Sequence, residues 1–173
     1  MIKLNFKPID KPLEYIVDYY DYYLPFIIRL KNRRIGDSIF IGNYSKINGP
    51  IFIQSAFDPC SEILSEIELI SLNNEKIKKL EDDEFNRLEL SDEFYSCSLG
   101  IDTGDDLHLR RHWMMTAFMN ETAMLITIGE SRGPIKYYRI SESIYLGTDP
   151  DSCWCAILLL DLSEADIREI KLL

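Results

Sequence analysis

The sequence predicts an α+β fold, a mainly antiparallel β-sheet with a few flanking helices. Three observations favour this class. Apolar residues alternate from Leu109 onward, two unbroken apolar triplets flank a turn near residue 48, and an early segment repeats its apolar residues at helical spacing. The 173 residues can bury a self-sufficient core, and no repeat or linker marks a boundary, so we expect a single domain over residues 1–173.

The first thirty residues are predicted to form a strand, a helix and a second strand. Residues 2–8 alternate weakly, as a strand does. Pro12 suits a first helical turn, and the periodic segment behind it predicts a helix over residues 13–24. Pro25 ends that helix because it disfavours helical geometry in the residue before it. The apolar "FIIRLK" that follows indicates a strand.

The central part of the chain predicts a hairpin and a second helix. The segments "DSIFIGNY" and "PIFIQSAF" flank a turn at residues 48–49, where Asn and Gly favour a tight connection. Asp58 and Pro59 resemble a helix start, and Ile63, Leu64, Ile67 and Ile70 fall at helical spacing, with a strand as the alternative because of the β-branched content. The polar stretch over residues 73–93 is expected to be part helix and part exposed loop.

The last third of the chain predicts an antiparallel meander of four strands. The segment from Leu109 to Met119, "AMLITIG", "IKYYRISESIYLG" and "CWCAILLLDL" are separated by turn-forming stretches. Ser163, followed three residues later by Asp166, predicts a capped helix that closes the chain.

Charge is concentrated in the middle of the sequence. The formal net charge is −10, and residues 60–106 alone hold four Lys/Arg against fourteen Asp/Glu, a net of −10. Such a field repels nucleic acid and anionic lipid and attracts basic proteins. We therefore expect no direct nucleic-acid or membrane partner. The alternative is a solvated acidic surface that serves only solubility.

The ends and cysteines of the chain indicate a cytoplasmic protein. The start lacks the apolar core and cleavage site of a signal peptide, and the longest apolar run, "WCAILLL", is too short to cross a bilayer. The four cysteines are then expected to be reduced thiols that pack as small apolar residues.

Histidine and cysteine positions allow one metal-site hypothesis, which the pattern disfavours. His108 and His112, joined by Cys153 and Cys155, make a conceivable zinc set. However, the histidines lie in a strand-like pattern, and the C-x-C spacing contains Trp154, a residue better explained by packing. The sequence therefore predicts no metal and no cofactor.

No motif predicts catalysis. The chain has no serine-nucleophile elbow, no catalytic-cysteine signature and no phosphate-binding glycine loop. Cys97 is the best-placed thiol, but its acidic surroundings disfavour a thiolate, so a buried inert thiol is the expectation. The loop "GIDTGDD" lacks the spacing of a calcium loop, and turn formation explains it better. We expect a protein that is not an enzyme.

The predicted helix over residues 13–24 has three faces. One apolar stripe suffices for the core. A second stripe carries carboxylates and a third carries tyrosines, a combination that is enriched where proteins bind cationic partners. The acidic stripe holds Glu14, Asp18 and Asp21, and the aromatic stripe holds Tyr15, Tyr19 and Tyr22, with Tyr23 on its border with the core. The alternative is that a second layer of the fold covers the tyrosines.

In its surface chemistry, "DYYDYY" together with the acidic residues 81–106 resembles the immunity proteins that neutralise bacterial toxins of contact-dependent growth inhibition and colicin systems. In the colicin nuclease immunity proteins, paired tyrosines and nearby carboxylates grip a basic toxin domain. Those proteins are smaller and all-helical, whereas this chain looks sheet-rich. The resemblance implies a cytoplasmic bacterial protein that occludes the basic active-site cleft of a cognate toxin, with a nuclease as the first expectation.

The predicted partner-binding residues follow from this resemblance and from the charge map. They are Tyr15, Asp18, Tyr19, Asp21, Tyr22, Tyr23, Glu81, Asp82, Asp83, Glu84, Asp102, Asp105 and Asp106. Two other functions stay open at this point. One is a small metal-dependent hydrolase that uses His108, His112 and the cysteines, and the other is an acidic adaptor that mimics the charge of DNA.

Overall fold

The computed structural model describes residues 2–18, 26–31, 39–45, 51–58, 61, 63–71, 77–100, 108–112 and 114–172. These residues form two β-sheets and two helices. The strands are β1 (Leu4–Ile9), β2 (Tyr15–Asp18), β3 (Phe26–Leu30), β4 (Ile39–Ser45), β5 (Ile51–Phe57), β6 (Leu64–Ser71), β7 (Lys78–Lys79), β8 (Glu89–Leu99), β9 (His108–His112), β10 (Met115–Met119), β11 (Met124–Ile128), β12 (Lys136–Arg139), β13 (Ile144–Thr148) and β14 (Trp154–Leu159). The helices are α1 (Asp82–Phe85) and α2 (Glu164–Leu172).

One sheet has eight strands in the order β1-β8-β12-β13-β14-β11-β10-β7. The prediction of strands in the last third of the chain is confirmed, but the predicted meander is wrong in three respects. The segment predicted as one strand from Leu109 to Met119 is divided between β9 of the other sheet and β10 of this one. The segment from Lys136 to Thr148 is two strands joined by a turn, and β14 inserts between β13 and β11. Most pairs in the sheet are antiparallel, whereas β7–β10 and β8–β12 are parallel.

The other sheet has six strands in the order β2-β3-β6-β5-β4-β9. The predicted hairpin is confirmed, because β4 and β5 pair antiparallel from Ile39 opposite Phe57 to Ser45 opposite Ile51. The predicted strand at Phe26 is confirmed as β3, which lies between β2 and β6. The edge strand β9 pairs parallel to β4.

The predicted helix over residues 13–24 is wrong at Tyr15–Asp18, where the chain forms β2. Strand β2 pairs with β3 from Tyr15 opposite Leu30 to Asp18 opposite Ile27. Tyrosine, isoleucine and valine in succession favour the extended chain, and a partner strand then supplies the backbone hydrogen bonds. The remainder of the predicted helix, residues 19–24, lies outside the described residues.

The helix predicted after Asp58 is also wrong, and the alternative strand is correct. Asp58 does form a local turn, in which its Oδ1 accepts from the backbone N–H of Ser61 at 2.9 Å. The chain then enters β6, which pairs on both sides, with β3 and with β5. Pairing on both sides decides the conformation, because β-branched isoleucines suit a buried strand better than a helix.

Helices are therefore scarcer than an α+β fold implies, and the described residues are mostly β-sheet. The single turn of α1 falls in the stretch 73–93 that was predicted to be part helix and part loop. That prediction is wrong where β7 and the start of β8 form. The closing helix is confirmed as α2. Its predicted cap is present, since Asp166 accepts from the Ser163 backbone N–H at 2.7 Å and donates its own N–H to Ser163 Oγ at 3.2 Å.

Both sheets contribute to one buried apolar core. The eight-stranded sheet supplies residues such as Leu4, Met115 and Trp154, the six-stranded sheet supplies Ile28 and Ile67, and α2 closes one side. The start of the chain is tied to this core through Lys3, which forms an isolated antiparallel bridge with Cys153. The face of each sheet that lines this core is called its inner face below, and the opposite face its outer face.

A substitution at Gly147 in β13 tests how closely residues pack on the outer face of the eight-stranded sheet. A Cβ at this position would lie 2.8 Å from the Ala156 Cβ and from the Ile135 Cγ2. We expect Gly147→Ala to lower the free energy of unfolding by about 1–3 kcal/mol, because the neighbours belong to packed strands that must shift. Urea unfolding measures the loss.

Gly133→Ala is the matched control for this substitution. Its added Cβ would meet Pro150 at 3.1 Å in an exposed turn, where the proline ring can yield. We expect this variant to keep its stability within about 0.5 kcal/mol. Equal effects of the two substitutions would contradict the packing described around β13.

Candidate functional site

The outer face of the eight-stranded sheet carries a second apolar cluster. Residues that alternate with those of the shared core point to this side of β11, β12, β13 and β14. The buried members are Leu80, Ala123, Leu125, Tyr137, Tyr145, Ala156 and Leu158. An apolar face of this kind needs a cover that shields it from water.

The segment Leu80–Leu90 supplies that cover. Phe85, Leu88 and Leu90 are partly buried against the cluster, and Leu80 belongs to it. The same segment contains α1, in which the Phe85 N–H donates to the Glu81 carbonyl at 3.0 Å. Apolar side chains therefore fix this segment on the sheet, and its polar side chains face solvent.

The solvent side of this segment is acidic. Glu81, Asp82, Asp83 and Glu84 are all exposed. Lys79 donates to Glu81 Oε2 at 2.7 Å, and this hydrogen bond, with the attraction of the two charges, raises the pKa of Lys79. Within the described part of the chain, no salt bridge involves the carboxylates of Asp82, Asp83 and Glu84. They are thus free to attract a cation from outside.

Three further carboxylates lie on the same side of the sheet, around Tyr145. Burial raises the pKa of the Tyr145 hydroxyl, and the negative charges of Asp92, Asp161 and Glu142 raise it further, against the opposing charge of Arg139. These groups come from β8, from the residues that follow β14 and from the turn between β12 and β13. The fold therefore collects acidic side chains that are far apart in sequence.

Arg139 is held in place at this site by rings and by one carboxylate. Its guanidinium lies 4.6 Å from the centre of the Phe94 ring and 5.9 Å from that of Tyr145. It donates to the Glu142 carbonyl at 2.7 Å and to Glu142 Oε2 at 3.1 Å. These contacts order the Arg139 side chain and tie its charge to that of Glu142.

We call this surface the acidic face. It is formed by Glu81, Asp82, Asp83, Glu84, Asp92, Glu142 and Asp161. Cations lie beside its seven carboxylates, among them Lys79 and Arg139.

The structure brings only part of the predicted partner-binding set together. Glu81 to Glu84 lie side by side on the acidic face. Tyr19, Asp21, Tyr22 and Tyr23 lie outside the described residues, as do Asp102, Asp105 and Asp106. The roles of these residues in binding stay predictions.

Tyr15 and Asp18 belong to the six-stranded sheet and not to the acidic face. The Tyr15 hydroxyl donates to the Leu64 carbonyl at 2.7 Å, and its ring packs against the shared core. Burial raises the pKa of Tyr15, and the nearby Cys97 thiol adds to the effect. Asp18 forms a salt bridge with Arg29 at 3.4 Å. The idea that Tyr15 stands on an exposed helical stripe is wrong, because the residue lies on β2 and its ring packs against the shared core.

Tyr15→Phe separates a structural role of this side chain from a binding role. The variant keeps the ring and leaves the buried Leu64 carbonyl without the hydroxyl donor. We expect the free energy of unfolding to fall by about 1–2 kcal/mol, measured by urea unfolding, and the association of a partner to stay unchanged. A stable variant that binds more weakly would contradict this assignment and support Tyr15 as a contact residue.

The two halves of the zinc hypothesis belong to different sheets. His108 and His112 lie on β9 of the six-stranded sheet, whereas Cys155 lies on β14 of the eight-stranded sheet and Cys153 lies next to that strand. Burial, followed by the charge of Asp149, raises the pKa of Cys155 to about 12. Among the described residues, no group of three or more histidine, cysteine, aspartate or glutamate side chains is placed to hold a metal ion.

The buried cysteines pack as small apolar residues, as the sequence predicts. Cys97 is fully buried between the sheets, and burial raises its pKa well above the ordinary value. Cys153, Cys155 and Cys97 are all free thiols. A thiol with a raised pKa stays protonated and is a poor nucleophile at neutral pH.

Sequence reasoning missed Glu142 and Asp161 as parts of the acidic face, and Arg139 as the cation beside them. Glu142 and Asp161 lie outside the acidic middle third, so the charge map gave no signal for them. Arg139 lies opposite Phe94 in the parallel pairing of β12 with β8. The non-local pairing of β8, β12, β13 and β14 places these side chains around Tyr145.

Comparison with known proteins gives no relative from which a function could be transferred. No model of a protein family matches the sequence, and no curated protein matches it significantly. In the described part of the chain, no helix combines the length and the apolar composition needed to cross a membrane.

Proposed function

We propose that this protein is a non-enzymatic immunity protein that binds a cognate bacterial toxin and covers its basic active-site cleft. A toxin that cleaves nucleic acid needs a basic cleft, so a nuclease is the toxin class that this charge suits best. The observation that carries the proposal is the acidic face, where exposed carboxylates from separate parts of the chain lie over one apolar cluster.

The anchoring of the cover segment on the sheet supports a binding role. Phe85, Leu88 and Leu90 anchor the cover segment on the sheet, so Glu81 to Glu84 are presented on ordered backbone. A preorganised surface loses little conformational entropy when it binds, and more of the interaction energy then appears as affinity.

The charge of the acidic face would act mainly on the rate of encounter. Electrostatic steering between complementary surfaces raises association rate constants to on the order of 10⁸–10⁹ M⁻¹s⁻¹ at low salt. Bound in this way, the protein would compete with the nucleic-acid substrate for the cleft. We therefore expect one-to-one inhibition that weakens as the salt concentration rises.

Coexpression tests this proposal. We expect the gene immediately upstream to encode a large secreted protein with a variable C-terminal domain, and that domain to copurify with this chain at one-to-one stoichiometry. Cells that produce the domain should grow only when this protein is present. Copurification without growth protection, or the absence of such a neighbouring gene, would contradict the proposal.

Unrelated basic nucleases are the control for specificity. An immunity protein should bind its cognate domain far more tightly than other basic proteins, because shape and contacts add to charge. A protein that only mimics the charge of DNA should bind them all with similar affinity. Similar affinities would therefore replace the immunity function with that of a general adaptor.

A further inference from the structure

One cation lies among the carboxylates of the acidic face that surround Tyr145. Among the described residues, Arg139 is the only cation whose charge acts on the Tyr145 hydroxyl. Asp92, Asp161 and Glu142 act on the same hydroxyl with the opposite sign. All four charges therefore lie around one point of the outer face of the sheet. A partner that covers these carboxylates must also cover Arg139.

The Arg139 side chain is fixed in position but still has N–H groups to offer. Its guanidinium lies 4.6 Å from the centre of the Phe94 ring. Its Nε and Nη2 groups donate to Glu142 at distances from 2.7 to 3.3 Å, whereas no described residue accepts a hydrogen bond from Nη1. The side chain is 24% exposed. It therefore reaches the surface with donors available to a partner.

The energy of covering Arg139 depends on what the partner places opposite it. A guanidinium that loses its hydration without gaining acceptors is costly, and a lysine or arginine opposite it adds repulsion. Glu142 offsets only part of this cost, because its side chain is 71% exposed and its carboxylate meets a single guanidinium nitrogen. A carboxylate of the partner would balance the charge and would suit the forked donor geometry of arginine.

We infer that Arg139 determines the specificity of the acidic face, and that the cognate toxin domain places a carboxylate opposite its guanidinium. This inference rests on the proposed function and deepens it. Exposed carboxylates attract every basic protein, so they alone do not distinguish one partner from another. A fixed cation among them penalises each basic protein that brings a lysine or arginine to this position, and such unfavourable contacts create specificity.

The toxin class proposed above can supply this carboxylate. Nucleases that use Mg²⁺ hold the ion through carboxylates, which lie inside the basic cleft that binds nucleic acid. A protein that covers the cleft therefore meets carboxylates as well as cations. Arg139 suits such a mixed surface, because Phe94 and Glu142 already fix its guanidinium and little conformational entropy is lost on binding.

Binding of the toxin domain encoded upstream tests the inference. Arg139→Gln should weaken this complex at least about tenfold, mainly through faster dissociation, because the carboxylate of the toxin is left covered without its cation. Surface plasmon resonance measures both rates.

Arg132→Gln is the matched control. Arg132 is also paired with a carboxylate, that of Asp151 at 3.4 Å, but it precedes β12, whereas Glu142 follows that strand. The two variants have the same net charge, and Arg132→Gln should keep the wild-type affinity for the toxin domain.

An amidated oligolysine peptide tests the rejection of cations, because it contains no carboxylate. At about 50 mM salt, Arg139→Gln should bind this peptide several-fold more tightly than Arg132→Gln does, although the two variants carry the same net charge. Fluorescence anisotropy of the labelled peptide measures both affinities. Equal affinities would overturn the inference, because the position of the cation would then have no effect.

Arg139→Lys keeps the result interpretable should Arg139→Gln fail to fold. Lysine keeps the charge and loses the planar fork, so the peptide should bind as weakly as to the wild type and the toxin domain should dissociate several-fold faster. An unchanged dissociation rate in the folded Arg139 variants would overturn this inference and leave the proposed function intact. A wild-type chain that does not bind the toxin domain would overturn the proposed function, and this inference with it.

Discussion

Replacing Trp154 with alanine should lower the free energy of unfolding by about 3–5 kcal/mol. Trp154 is 1% exposed and lies on β14, between β13 and β11 in the middle of the eight-stranded sheet. Its indole Nε1 donates to the Ala156 carbonyl at 3.0 Å. The substitution would leave a large cavity in the shared core and would remove the donor from that carbonyl.

Urea unfolding, followed by circular dichroism, measures this loss as a lower midpoint at constant slope. Trp154→Phe is the graded control. It keeps an aromatic ring but loses the indole donor and part of the volume, so the loss should be about half as large. A decrease below about 1 kcal/mol for the alanine variant would mean that β14 does not lie in the centre of the core.

Neutralising the four carboxylates from Glu81 to Glu84 should slow association with the toxin domain at least about tenfold at low salt. The variant combines Glu81→Gln, Asp82→Asn, Asp83→Asn and Glu84→Gln, which preserve shape and remove charge. Exposed charges act chiefly on encounter, so the dissociation rate should change little. Surface plasmon resonance or stopped-flow fluorescence separates the two rates.

A second fourfold variant with the same change in net charge is the matched control. It neutralises Asp10, Glu121, Glu130 and Glu169, which are exposed and do not belong to the acidic face. Because steering depends on where charge lies, this variant should keep most of the wild-type association rate. Equal slowing by the two variants would mean that total charge, and no particular surface, governs the encounter.

The parts of the fold that the sequence predicted correctly depend on local signals. The β4–β5 hairpin followed from two apolar segments that flank Asn48 and Gly49, residue types that favour turns, although these two residues lie outside the described part of the chain. Ser163 and Asp166 satisfy the first backbone N–H groups of α2 within four residues of chain. The packing role predicted for Trp154 required only that a large apolar side chain is rarely left in water.

The wrong predictions concern segments whose conformation depends on distant strands. Tyr15, Ile16 and Val17 fit a helical stripe and a strand equally well, and pairing with β3 and packing over Leu64 decide between them. The pattern of the segment Leu64–Ser71 also fits either a helix or a strand. Pairing with β3 on one side and with β5 on the other makes it a strand. No window of sequence contains these partners, so periodicity alone could not choose.

The candidate site could be predicted in part. The exposed run from Glu81 to Glu84 follows directly from composition, since adjacent carboxylates are seldom buried. Its extension by Glu142 and Asp161 follows from strand order, in which β8, β12, β13 and β14 are neighbours. Charge that is spread through the sequence therefore becomes a surface only when the sheet is assembled.

Hydrogen exchange of the complex with the toxin domain tests the central claim most directly. We propose that the acidic face on the outer side of the eight-stranded sheet is the docking surface. Binding should then slow amide exchange in the cover segment Leu80–Leu90 and in the turn that contains Glu142. Slowed exchange confined to β3 and β6 of the six-stranded sheet, with no change in the cover segment, would contradict the account.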